Sequence, residues 1–345
     1  MSALSKNQLL TRRGFIQRAA HSAQLFAASS TIVSLAQRSR AAEKPAPNRL
    51  LYDADRLRQT DPKLIQYDEA ARFACPHPNA RRIAMGSEAT LFIAAGKQIV
   101  QLDKTGAHVA DIQLADEPRC IAVASDGNSF VGFRDHVEVY GRNGERRAAW
   151  ETPGKKSYFT GIAVGDDDIF VADAGARVVR RYDKSGRLLG RIGEKDKDGN
   201  IPGFIVPSPF FDVEVARDGL LRVTNPGRHR VEAYTREGDL EFFWGEPSMG
   251  MTGFCGCCNP INLALLGDGR YVTFEKGLPR VKIYSAEGKF ESVVAGAESF
   301  AANAKVCGPN DCSVGGLDGV VDSQGRIYIL DLVANNVRVM ERKTS

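Results

Sequence analysis

Three cysteines fall within four residues in Phe254-Cys255-Gly256-Cys257-Cys258-Asn259-Pro260, and two more, Cys307 and Cys312, enclose a Gly-Pro-Asn-Asp turn sequence. Sulfur at this density supports two chemistries. Thiolates can hold a metal: four of these five could form the tetrahedral set that suits an iron–sulfur cluster or zinc. The same sulfurs could instead pair as disulfides, with no metal, and the odd total of seven cysteines would then leave at least one thiol unpaired. If the first stretch is extended, Cys255 and Cys257 point to one side and Cys258 to the other. Alternate Cα atoms in a strand lie roughly 6.5 Å apart, near the upper limit for a disulfide. A bond between adjacent Cys257 and Cys258 would distort the peptide, so the expected partners of this stretch are Cys307 and Cys312.

The elements that must position these sulfurs repeat along the chain. From about Arg81 onward, an apolar strand is followed by an Asp-Gly-like turn, a second strand, a polar turn, a third strand, an x-Gly turn and a fourth strand. Residues 161–186 carry the clearest copy, and others begin near Ile83, Cys120, Phe211, Ile261 and Gly319. The third-turn glycines, Gly106, Gly144, Gly186, Gly238 and Gly288, are spaced 38 to 52 residues apart. That period fits a four-stranded propeller blade, and the glycine-rich, 43% hydrophobic composition fits a turn-rich all-β protein.

The unit resembles the NHL repeat, which reads loosely Gly-Ile-Ala-Val-Asp-x-x-Gly-x-Ile-Tyr-Val-Ala-Asp followed by Arg-Val. Residues 161–186 match it best and Gly319 to Met340 match well. Six copies imply an all-β, six-bladed β-propeller of NHL/TolB-like architecture, closed so that no sheet edge is left open. The last copy lacks a fourth strand after Met340. The alternating segment Lys63-Leu64-Ile65-Gln66-Tyr67 is expected to supply it, so the propeller spans 63–345. In this geometry the blade-to-blade connections and the turns between second and third strands lie on one face, the top. All seven cysteines then lie on the top face. Cys75 precedes blade one, Cys120 opens blade two, the 255–258 stretch joins blades four and five, and Cys307 and Cys312 join blades five and six. The expected cofactor site is thus Cys255, Cys257, Cys307 and Cys312 around an iron–sulfur cluster or, second, zinc, with Cys258 or the Cys75/His77 loop as substitute ligands. The Gly-Cys-Cys-Asn-Pro stretch, with 275–282 after it, is also similar to a group of exported bacterial NHL-type proteins of no settled function, so it implies no role.

Residues 1–41 read as a leader. Thr11-Arg12-Arg13-Gly14-Phe15-Ile16-Gln17 resembles the twin-arginine (Tat) export signal, with Arg12, Arg13 and Phe15 as the matching residues. A weakly apolar run to Ala36 follows, and Ser39-Arg40-Ala41 offers a cleavage site. Residues 42–62 read as a linker. The leader carries six basic and no acidic residues, so its removal takes the formal charge from +4 to −2. That removes electrostatic support for nucleic-acid binding. No later run is long enough to span a bilayer. Resemblance to this signal implies a periplasmic or otherwise extracytoplasmic protein exported folded, with any metal inserted first.

Three functions follow as expectations: a binding or electron-transfer module built on the cysteine site; a disulfide-braced scaffold presenting its top face to another exported protein; or a hydrolase or lyase at the channel mouth. For the last, His77, His136 and His229 are the histidines that could reach the top face, and His108 lies near the other. Asp173, Arg177, Arg228, Glu275, Lys276, Arg280 and Asp331 sit on top turns, where blade-to-blade salt bridges are expected, with Lys276 able to face a ligand instead.

Overall fold

The structure, a computed structural model, describes residues 54–196, 202–300 and 316–344. The Arg12-Arg13-Phe15 motif, Cys307 and Cys312 lie outside them. The chain forms six four-stranded antiparallel sheets, a six-bladed β-propeller. Blades one to five span residues 80–113, 120–149, 159–192, 213–244 and 262–295, each a meander of consecutive strands. Blade six takes three strands from Leu317–Val321, Ile327–Asp331 and Asn336–Arg342 and its outermost from Tyr67–Ala74.

Closure by an N-terminal strand is as expected, but the strand lies further along the chain. Lys63 and Leu64 belong to a 3-10 turn, Pro62–Leu64, and Ile65 makes an isolated bridge to Val293 of blade five. The end of the expected linker is packed down as well: Thr60 Oγ1 donates to Glu298 at 2.9 Å, and Leu57 lies against the Cys255 cluster.

The third-turn glycines all fall between third and fourth strands with positive φ. Gly186 shows what they do. A Cβ there would lie 2.3 Å from the ring of Trp150, an indole from blade two that fills the seam between blades. The left-handed turn thus also receives the preceding blade's aromatic side chain. Core residues form clusters at the seams. One joins blades six and one through Ile83, Leu91, Tyr328 and Val337, and another joins blades five and six through Phe274, Ile283, Leu317 and Ile329.

The innermost strands carry the ties between blades. The residue opening each inner strand's apolar run is Arg82, Cys120, Gly161, Asp212, Asn262 and Asp318 in blades one to six. Asp318 accepts from Ile83 N at 2.8 Å, Asp212 from Leu263 N at 3.1 Å, and Asn262 Nδ2 donates to Leu317 O at 2.8 Å. Each bond joins a blade to the next in the ring. Four of the seven turn charges expected to bridge blades pair locally instead. Asp173 pairs with Arg180, Glu275 with Arg280, and Asp331 with Arg338, all within one blade. These turns curl back on their own strands, so the near partner is local.

Candidate functional site

The cysteine stretch is held by buried charge beneath it. Glu275 follows the second strand of blade five and is fully buried. It receives Arg280 through two nitrogens, at 2.7 and 3.2 Å, and Lys282 Nζ at 2.8 Å. Burial alone would raise its pKa, but Lys282 and Arg280 outweigh it and hold the carboxyl below the usual range. The cations' remaining donors go to the loop that precedes the cysteines. Arg280 Nη1 reaches the Met249 and Gly250 carbonyls at 3.3 and 3.1 Å, and Lys282 Nζ reaches those of Met251 and Gly253 at 3.1 and 2.6 Å. Glu275 itself accepts from Cys255 N at 3.3 Å. The Lys282 ammonium also lies 4.8 Å from the Phe254 ring centre.

On this base the sulfurs are arranged otherwise than alternation predicts. Cys255, 3% exposed, sits in an apolar nest with Leu278 and Ala297. Cys257 and Cys258 lie side by side, Sγ to Sγ 3.4 Å, with Cys257 exposed and Cys258 buried. Gly256 at φ 77° breaks the extended path on which the alternation argument depended. The described cysteines form no disulfide with one another. Burial, with the Glu275 carboxylate beside it, pushes the Cys255 thiol up to about 12, which disfavours the thiolate that a metal needs. Among the described residues no group of three or more His, Cys, Asp or Glu side chains is placed to hold a metal. Cys75 is not near this loop's core. It is buried in the seam between blades six and one, its N–H on Asn335 O at 3.0 Å. Cys120 lies buried on the inner strand of blade two, where enclosure pushes its thiol up to about 12 despite the neighbouring Arg82.

Asn259 connects the loop to the channel. Its amide grips the backbone of residue 276 from both sides, accepting from Lys276 N at 2.9 Å and donating to Lys276 O at 3.0 Å, and it also donates to Cys255 O at 2.7 Å. Lys276 is thereby set over the Phe210 ring, its ammonium 4.5 Å from the centre.

Phe210 lines a cavity of about 300 Å³ at the top mouth of the central channel. All six blades or their connections contribute to it, through Arg82, Arg119, Tyr158, Phe210, Asn262 and Leu332. Sequence reading passed over every one of these. Arg119 lies over the Tyr158 ring at 4.5 Å and donates to its hydroxyl. Arg82 forms the floor. From blade one it reaches across the channel axis to Asp212, Asn262 and Asp318 of blades four, five and six, the last at 3.0 Å. Enclosure, reinforced by Asp212 and opposed by Arg82, raises Asp318 to about 6. Two residues along the inner strand from Asp212, Glu214 is only partly exposed and walled in by protein. Burial, then the Asp212 charge, raises it to about 8.

The three histidines do not converge. His77 approaches its neighbour's Pro78 O at 2.9 Å, His136 stacks on Phe133 at 4.8 Å, and His229 contacts Gly256 O at 2.8 Å. None lines the cavity.

No protein-family model matches the chain, and no curated protein matches it. Solved structures do resemble it. A virginiamycin B lyase from Staphylococcus aureus superposes with TM-score 0.52 at 12% identity, covering 79% of this chain and 83% of that one. A streptogramin B lyase gives 0.52 and 12%, covering 80% and 97%. A protein of unknown function from Bacteroides thetaiotaomicron gives 0.54 and 14%, covering 80% and 72%. At such identities the likeness establishes the propeller fold and nothing finer.

Proposed function

We propose that the protein is an exported binding module whose ligand site is the top mouth of the central channel. The observation that carries this reading is a cavity of about 300 Å³ to which all six blades or their connections contribute, because convergence of elements on one concave, partly apolar, partly polar space is the mark of a ligand site. Its chemistry favours a small molecule with a flat apolar portion and an anionic group. Phe210 and Tyr158 offer ring faces, and Arg119, which donates to the Tyr158 hydroxyl, offers a guanidinium with no carboxylate partner among the described residues. Arg82 is already matched by two carboxylates and serves as floor. The lyase activity that names two structural neighbours is not carried over, since none of His77, His136 or His229 lines the cavity. Calorimetric titration with benzoate and with benzyl alcohol tests the reading. Benzoate is expected to bind and benzyl alcohol not, with Arg119→Gln and Phe210→Ala each weakening benzoate about tenfold. Equal behaviour of both probes, or no change in either variant, would remove the site. Export rests on the Arg12-Arg13-Phe15 motif and is tested by fractionating cells that carry Arg12→Lys/Arg13→Lys; unchanged export would sink it.

A second reading keeps the metal and changes its ligands. The Cys257 and Cys258 sulfurs, 3.4 Å apart, are close to the roughly 3.8 Å edge of a tetrahedron with metal–sulfur bonds near 2.3 Å. With Cys307 and Cys312 they would complete a thiolate set for iron–sulfur or zinc, leaving Cys255 as a packing residue. Anaerobic purification with iron, sulfide and zinc analysis decides between sets. Metal lost in Cys258→Ser but kept in Cys255→Ser supports this one, and metal-free protein ends both.

A further inference from the structure

A second cavity, of about 270 Å³, lies toward the rim of blade three and shares no lining residue with the channel mouth. Lys155, Lys156, Arg180 and Arg191 line it, against one carboxylate, Glu194. Three features set it apart from an ordinary solvated basic face. Arg180 and Arg191 are direct register partners on neighbouring antiparallel strands, where like charges destabilise the pairing. Arg180 is itself almost wholly buried: Nε meets Asp173 at 2.8 Å and Nη2 meets Ser157 Oγ at 3.3 Å, while Nη1 is shut off from solvent with no acceptor among the described residues. Such an orphaned donor is costly and uncommon. Finally, Gly175 allows the segment carrying the lysines to lie directly on the turn between the second and third strands, since a Cβ there would come within 1.9 Å of Lys156 O. Absence of a side chain brings two more cations over two arginines.

Charge completes the description. Asp173 answers Arg180, and Glu194 answers Arg191 at 3.2 Å, so among the described residues that line the cavity Lys155 and Lys156 remain as an excess of two positive charges. We infer that this cavity binds a tetrahedral oxyanion of the phosphate or sulfate type, either free or as the terminal group of a larger molecule. Such a group carries close to two negative charges near neutral pH. Its several acceptor oxygens can take a guanidinium nitrogen and two ammonium groups at once. Asp173 also fixes the frame of the site, accepting from Tyr158 N and Ala176 N at 2.9 Å each, so the lysine segment and the turn are held together before any anion arrives.

The test is calorimetric titration of the full chain with inorganic phosphate, sulfate and glycerol phosphate, against chloride at constant ionic strength. Saturable binding at one site per chain is expected, weakened about tenfold by Arg191→Gln and by Lys155→Gln/Lys156→Gln. Those side chains are exposed, so the variants keep the fold even where Arg180→Gln does not. Preference for glycerol phosphate would assign the ligand to a phosphomonoester, and parity to the free ion. Arg119→Gln at the channel mouth should leave phosphate binding unchanged, which separates this site from the benzoate site. No saturable binding of any of the three anions, or binding undiminished in both surface variants, would overturn the assignment.

Discussion

Two of the places where this propeller buries charge do so with opposite balance. Under the cysteine stretch one carboxylate, Glu275, meets two cations, Arg280 and Lys282. On the channel axis one cation, Arg82, meets two carboxylates, Asp212 and Asp318, with Glu214 close by. Excess cation around a carboxylate locks its charge, and the spare donors become hooks for loop carbonyls. Excess carboxylate around a guanidinium leaves protons easily added near neutral pH. The first arrangement is a clamp and the second is titratable, so the two regions govern different flanks of the protein's stability. Glu275 has a depressed pKa, so its contribution is present above the ordinary carboxylate range and is lost as pH falls through its lower folded value. Asp318 and Glu214 have raised values. Their contribution is full below the ordinary carboxylate range and is lost as pH rises through about 6 and then about 8.

Removing the anion from the clamp should have the largest effect. Glu275→Gln leaves Arg280 and Lys282 buried without a countercharge and is expected to cost about 3–5 kcal/mol in urea unfolding. A loss below about 1 kcal/mol would mean that the loop rests on its carbonyl bonds alone. Next comes Arg82→Met, with a cost of about 3 kcal/mol at pH 8. The loss should be visibly smaller at pH 5, below the raised values of Asp318 and Glu214, where both carry protons. A pH-independent cost would erase the contrast between the regions. Glu214→Gln works in the other direction. It should stabilise the protein by about 1–2 kcal/mol at pH 9 and by little at pH 5, read from paired denaturation curves. The smallest expected effect is that of His229→Ala, about 1 kcal/mol for one hydrogen bond to Gly256 O, with faster proteolysis within 254–258 as a local readout.

Blades were legible because their signals are local: an apolar run, an Asp-Gly turn and a glycine where the third turn needs positive φ. The closing strand was not. Tyr67–Ala74 is paired along one edge only and is exposed at most of its positions, so it lacks the alternation that Lys63–Tyr67 happens to possess. The sulfurs' orientation was misread for a local reason, the positive φ of Gly256, which sequence leaves open. The channel mouth failed for a global one. The residues that open the inner strands beneath it occupy one structural position per blade, yet they differ in type: Arg82, Cys120, Gly161, Asp212, Asn262 and Asp318. No repeated letter marks them, and only ring closure brings Arg82 to partners 130 to 236 residues away. Arg180 and Arg191 were hidden likewise, since their opposition is a matter of register.

Blade six takes one strand from before residue 75 and three from beyond residue 316. The ring therefore cannot close until the three later strands of blade six have left the ribosome, because the early strand must join them. Blades one to five are meanders of neighbouring strands and can form in order of synthesis, but the closing seam must wait. A chain cut short anywhere beyond blade five would present an open sheet edge to proteases and to other unfinished chains. Ring closure thus separates chains that have made all six blades from those that lack the sixth.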